Sequence, residues 1–134
     1  MLKASANAPT RVLLVERDPH LLALAAHFLG AAGFTVEVAA DGQAALEKAR
    51  ASPPAVVITE ILLPKLDGLA LCRQLKAHEK TRGIAVIIFS ILASSARAKD
   101  AGADAFLMKP LSEQRLLGTV QKLLAEPPLS ERSQ

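Results

Sequence analysis

The sequence predicts an α/β fold, a doubly wound parallel sheet with helices on both faces. Three observations carry this. Short runs rich in Val, Ile, Leu or Phe alternate five times with longer segments of helical spacing. Most of the short runs are apolar throughout, the mark of strands buried on both faces. And the 134-residue chain, 51% hydrophobic with four Phe and no Trp or Tyr, has the aliphatic content of a layered α/β core.

The elements follow in order. RVLLVE (11–16) is the first strand, and Asp18-Pro19 then supplies an N-cap and a proline at the first helical position of a helix over 19–31. Gly33 stops that helix before FTVEVA (34–39), and Asp41-Gly42 opens the helix of 43–51. Pro53-Pro54 bars its continuation, so AVVITE (55–60) reads as the third strand. Asp67-Gly68 starts the helix of 68–78, AVIIFS (85–90) is the fourth strand, and a short helix spans 93–101. AFLMK (105–109) and a helix over 112–125 complete five strand-then-helix units. Four of the strands, all but the Glu-bearing second, are apolar enough to be buried on both faces. A domain over 10–125 is thus flanked by segments 1–9 and 126–134, whose Pro, Ser and Asn content predicts flexibility.

Composition excludes several classes. The longest apolar stretch, IAVIIF at 84–89, is too short to span a bilayer, and the N-terminus has no signal-peptide core, so no membrane is expected and the compartment is cytoplasmic. The single Cys72 cannot form an internal bridge and reads as a small buried hydrophobe. Net charge is +3; the basic segment RQLKAHEKTR (73–82) is better explained as a solvated helix end than as a nucleic-acid site, and aromatic stacking is poorly supplied. His20, His27 and His78 have no partner at metal-ligand spacing. No Ser-His or Cys-His pair can be placed as nucleophile and base, so the chain is not expected to be an enzyme.

Ligands bind an open parallel sheet at the carboxyl ends of its strands. The polar residues gather there: Glu16, Arg17 and Asp18 after strand one, Glu60 after strand three, Ser90 after strand four, Lys109 and Pro110 after strand five. These phrases, LLVERDP, VVITEILLPKLDG, the Ser after AVIIF and AGADAFLMKP, together resemble the response-regulator receiver domain (CheY-like), the phosphoacceptor module of bacterial two-component signalling. The resemblance covers about residues 10 to 125. It implies strand order 2-1-3-4-5 and magnesium-dependent phosphoryl transfer from a histidine kinase to an aspartate. Ser90 matches the family's phosphoryl-binding hydroxyl, Phe106 its aromatic switch residue, Lys109 its lysine, and Lys109-Pro110 its cis peptide bond.

The chain departs from the family at the receiving position, where Glu60 stands for the aspartate, and at the metal site, where Glu16 matches the first acid but Arg17 replaces the second. A guanidinium offers no acceptor, and at about 5 Å from a dication its repulsion approaches 6 kcal/mol at an effective dielectric of about 20. Magnesium is therefore expected to bind weakly or not at all, with Arg17 pairing to Glu16 or Glu60 in its place; no other cofactor is expected. The extra methylene of glutamate displaces the carboxylate by about 1 Å, a misplacement that can cost on the order of a hundredfold in rate. Ile91 stands where the family has a small residue and would cover the site, and Ile91 with Leu92 reads either as an exposed apolar knob or as ordinary core. Phe106 follows Ser90 by 16 positions, fewer than the family commonly has, which shortens the helix of the usual partner and dimer face.

The expected function is a stand-alone, atypical receiver, acting by contact with a histidine kinase, a downstream effector or a second copy of itself. Glu60 either imitates the phosphorylated state by reaching Ser90 and Lys109 or only closes a salt bridge with Lys109 or Arg17. The alternative is a working phosphoacceptor that uses Glu60 or a residual acidic pocket with magnesium.

Overall fold

In the computed structural model, which describes residues 9–126, five strands alternate with five helices. They are β1 (Arg11–Val15), α1 (Pro19–Ala31), β2 (Thr35–Ala39), α2 (Gly42–Ala51), β3 (Val56–Thr59), α3 (Gly68–Ala77), β4 (Ala85–Ser90), α4 (Ser95–Asp100), β5 (Ala105–Met108) and α5 (Glu113–Ala125). Element ends agree with the sequence reading to within two residues; the flexible segments expected at the two ends fall, but for Pro9 and Glu126, outside the described residues.

All strand pairs are parallel, in the order β2-β1-β3-β4-β5 that the resemblance implies. Side chains alternate across the sheet as the period of two demands. Leu13, Val15, Val57, Val86 and Ile88 point to one face, under α2, α3 and α4. Val12, Leu14, Val56, Ile58, Ile87 and Phe89 point to the other, under α1 and α5. Cys72 is one of the buried aliphatic-layer residues, its Sγ 3.4 Å from the Ala101 carbonyl, and burial pushes its thiol pKa up to about 11. Strand β5 corrects the expectation of four strands buried on both faces. It is an edge strand, and Met108 is exposed because nothing lies beyond it in the sheet.

Caps set the helix starts. Asp18 accepts from the amides of His20 and Leu21, Asp41 from Ala44, Asp67 from Ala70 and Ser112 from Arg115. Gly33, at φ 101°, ends α1 in the left-handed region. The loop from β3 to α3 is held from both sides. Thr59 Oγ1 donates to the Glu60 carbonyl, Gly68 N donates to Ile61 O at 2.9 Å, and a Cβ at Gly68 would stand 2.0 Å from the Glu60 carbonyl oxygen. No side chain fits that gap.

Gly68→Ala should therefore force the Glu60 loop to shift and cost about 1–3 kcal/mol, read as a lowered urea midpoint with unchanged slope. A midpoint equal to the parent's would show that the contact does not hold the loop.

Candidate functional site

The strand ladders run one residue past the strand ends and so bring three elements to one rim. Glu16 N donates to Ala39 O and Glu60 N to Val15 O, each at 3.1 Å, while Lys109 N donates to Ser90 O at 2.8 Å. The side chains of Glu16, Glu60 and Ser90 are buried, and that of Lys109 nearly so.

At the centre is the Lys109 ammonium. It lies 2.7 Å from Glu60 Oε2 and 2.9 Å from Glu16 Oε1, and 5.5 Å above the Phe89 ring, a cation–π distance. The other oxygen of Glu60 collects donors: Ser90 Oγ, Ile61 N at 2.6 Å and Leu62 N at 3.3 Å. Leu92 N donates in turn to Ser90 Oγ at 3.2 Å, and the second oxygen of Glu16 accepts from Asp18 N at 3.1 Å. Burial alone would raise the Glu60 pKa, but the bonds from Lys109, Ser90 and Ile61 outweigh it and hold the carboxyl below its usual range. Burial alone would lower that of Lys109, yet Glu60 and Glu16 hold it above the ordinary lysine value. Both groups are charged at neutral pH.

Glu16, Glu60, Ser90 and Lys109 are thus brought together as their positions in the sequence predict, and the Lys109-Pro110 bond is cis. Phe106 is partly buried against the layer of α2, α3 and α4. Asp18 serves α1 as its N-cap. Arg17 requires a correction: it is exposed and pairs with neither Glu16 nor Glu60. Lys109 arrives along the β5 ladder with its ammonium already between the carboxylates, whereas Arg17 lies at the turn into α1 and faces water. Ile91 is 60% exposed, and Leu92 packs against the core, so the pair is one exposed and one inward residue.

The magnesium that the resemblance implies would need open carboxylate oxygens here. Glu16 and Glu60 both face Lys109, Asp18 is committed to its helix and Arg17 has no acceptor. Among the described residues no group of three or more His, Cys, Asp or Glu gathers as a ligand set for a metal.

Two interactions were outside the reach of sequence reading. The contact between Gly68 and the Glu60 carbonyl joins residues whose spacing gives no sign of it. Donation from Leu62 and Ile61 to Glu60 follows from a tight turn; Pro64 and Asp67-Gly68 were its only local signals.

Known proteins share this fold. The response regulator receiver domain family matches residues 12–121, and this chain belongs to that family. It is similar to the gliding motility regulatory protein of Myxococcus xanthus, 41% identical over 110 residues, which are 80% of this chain and 14% of that protein. It is 35% identical over 117 residues to the response regulator MprA of Mycolicibacterium vanbaalenii, covering 87% of this chain and 51% of that one. The chain therefore spans about half or less of the length of these relatives. Among solved structures, a CheY-like response regulator receiver domain protein from Methanospirillum hungatei superposes with a TM-score of 0.81 at 30% identity, over 88% of this chain and 95% of that one.

The ion pairs set the pH behaviour. Glu60, with its folded pKa depressed, contributes stability above the unfolded carboxylate pKa that is lost as pH falls through the folded value. Lys109, with its folded pKa raised, contributes stability below the unfolded lysine pKa that is lost as pH rises through its folded value. Stability should be flat between about pH 5 and 10 as far as this cluster governs it. Lys109→Met leaves two carboxylates buried together and should cost about 3–5 kcal/mol at pH 7, and less at pH 4 as they take up protons. Urea titrations at both pH values check this; an equal loss at both would remove the ion pairs as its cause.

Proposed function

We propose that this chain is an atypical receiver that works without phosphorylation: Glu60 occupies the receiving position and holds the domain in a conformation resembling the phosphorylated state. The observation that carries this reading is the Ser90 hydroxyl bonded to Glu60 Oε1 while Lys109 pairs with Oε2. A plain salt bridge would need Lys109 alone. In the family that this chain belongs to, the hydroxyl and the lysine are the groups that meet the phosphoryl oxygens, and here one longer carboxylate engages both. The imitation is partial, since one charge and two oxygens stand for about two charges and three oxygens.

Three features support the loss of phosphoryl transfer. Both Glu60 oxygens are engaged by donors, so an incoming phosphoryl group would have to displace Ser90 or Lys109. Both acids at the rim spend their charge on Lys109, which leaves no open pair for magnesium. Ile91, the residue after Ser90, is a bulky, 60% exposed side chain where the family usually has a small one beside the hydroxyl. The chain then signals by protein contact alone, with a histidine kinase or an effector of a two-component pathway as its partner class and the cytoplasm as its compartment.

The test is to record amide NMR spectra while adding magnesium and then beryllofluoride, with intact-mass measurement after incubation with acetyl phosphate. The expected result is no shift at Glu16, Glu60, Ser90 or Lys109 and no phosphoryl adduct. Glu60→Ala should in contrast move the Phe106 resonances, because it releases Ser90. Saturable shifts running from Glu60 to Phe106, or an adduct on Glu60, would replace this reading with that of a working phosphoacceptor.

A further inference from the structure

At the end of the sheet opposite Glu60, the fold assembles a basic surface larger than the segment 73–82 alone. Helix α2 ends at Ala51 and α3 at Ala77, both at the amino ends of the strands that follow. Arg50, on the last turn of α2, reaches α3, where its guanidinium donates to Gln74 Oε1 at 3.4 Å. With His78, Glu79, Lys80 and Thr81 it lines a hollow of about 340 Å³. Arg82 follows on the same turn, and Arg73 stands one helical turn before the end of α3.

Arg50, Arg73, Lys80 and Arg82 are all exposed, and among the described residues none of them is in an ion pair. Lys76, from the same segment, is different: it turns inward to Asp104 at 2.9 Å and to the Ile84 carbonyl at 2.6 Å. The segment is thus divided into one structural lysine and a set of outward cations. Against the single carboxylate of Glu79, the four unpaired cations leave an excess equal to the net charge of the whole chain, +3. Among the described residues, these cations give the end away from the Glu60 site a local positive excess.

We propose that this surface docks an acidic segment of a partner protein, whose carboxylates enter the hollow between Arg50 and Lys80. Charge complementarity names the occupant, and the scale of the patch selects its class. A duplex-binding protein neutralises on the order of 6–10 phosphates, more than four cations and a carboxylate provide. Single-strand binders stack bases on aromatic side chains, and the patch has none but the His78 ring. Two or three carboxylates on an extended peptide match a hollow of this size, and arginine forks suit carboxylates. The surface shares no residue with the Glu60 rim, so it gives the domain a second point of contact that does not depend on the state of the switch.

The experiment is a salt-controlled NMR titration of the full chain at about 0.15 M salt with a decaglutamate peptide, a short DNA duplex and phosphatidylcholine vesicles containing phosphatidylserine. The expected result is saturable peptide shifts at Arg50, Arg73, His78, Lys80 and Arg82, with affinity falling at least about tenfold in the charge-reversed double variant Arg50→Glu/Lys80→Glu. These residues are exposed and outside the core, so the variant should keep the parent's dispersion and thermal midpoint. Glu60→Ala should bind the peptide as the parent does, which separates this surface from the proposed action of the Glu60 site. Peptide shifts scattered over the whole surface, unchanged affinity in the double variant, or tighter binding to the duplex or the vesicles would each overturn the proposal.

Discussion

One ammonium group organises the carboxyl end of this protein's sheet. Lys109 stands between Glu16 and Glu60, and through them it ties the ends of β1, β3 and β5 into a single buried cluster. Two carboxylates facing one another across a buried rim would repel; here the ammonium lies between them and backbone amides meet their outer oxygens. Every other feature of the rim adjusts to that arrangement. Ser90 is drawn to Glu60, Leu92 is drawn to Ser90, and the turn after β3 folds its amides back onto the same carboxylate.

The cluster has this form because a parallel sheet delivers all its strand ends to one side. The ladders of β1, β3 and β5 continue one residue beyond their strands, so the side chain that follows each is polar and held at the rim, buried for Glu16 and Glu60 and nearly so for Lys109. Burial raises the strength of each hydrogen bond and the penalty for leaving one unmade, which is why a site of this kind has few partly satisfied states. The same sheet puts the helix ends and their cations on its far side. The Glu60 cluster and the basic surface are therefore separated by the length of the strands.

Much of this was legible in the sequence, for identifiable reasons. Alternating periods of two and of helical spacing marked the elements, and Asp18, Asp41 and Asp67 marked helix starts because a capping carboxylate acts on its own neighbours. Glu60, Ser90 and Lys109 could be placed on one rim since strand ends in an open parallel sheet share an edge. Arg17 misled because position in the chain says where a Cα is and not which way a long side chain turns; a better-placed cation, Lys109, came from the end of β5, 92 residues later. The place of β5 at the sheet edge was hidden from composition, since AFLM looks as apolar as the central strands. Arg50 joining the segment 73–82 was hidden as well, because it depends on α2 and α3 lying side by side.

The exposure of Arg17 has a consequence for how this chain can change over time. Its side chain carries no part of the fold, so an acid could stand there without disturbing the fold around it. Glu60 is the opposite: two amides, a hydroxyl and an ammonium are arranged for its length, and a shorter acid would leave some of them without an acceptor. The two positions are unequal in their tolerance of change. The first is a surface side chain open to change in either direction, while the second is held by its neighbours, so substitutions at Arg17 are cheap and those at Glu60 are not.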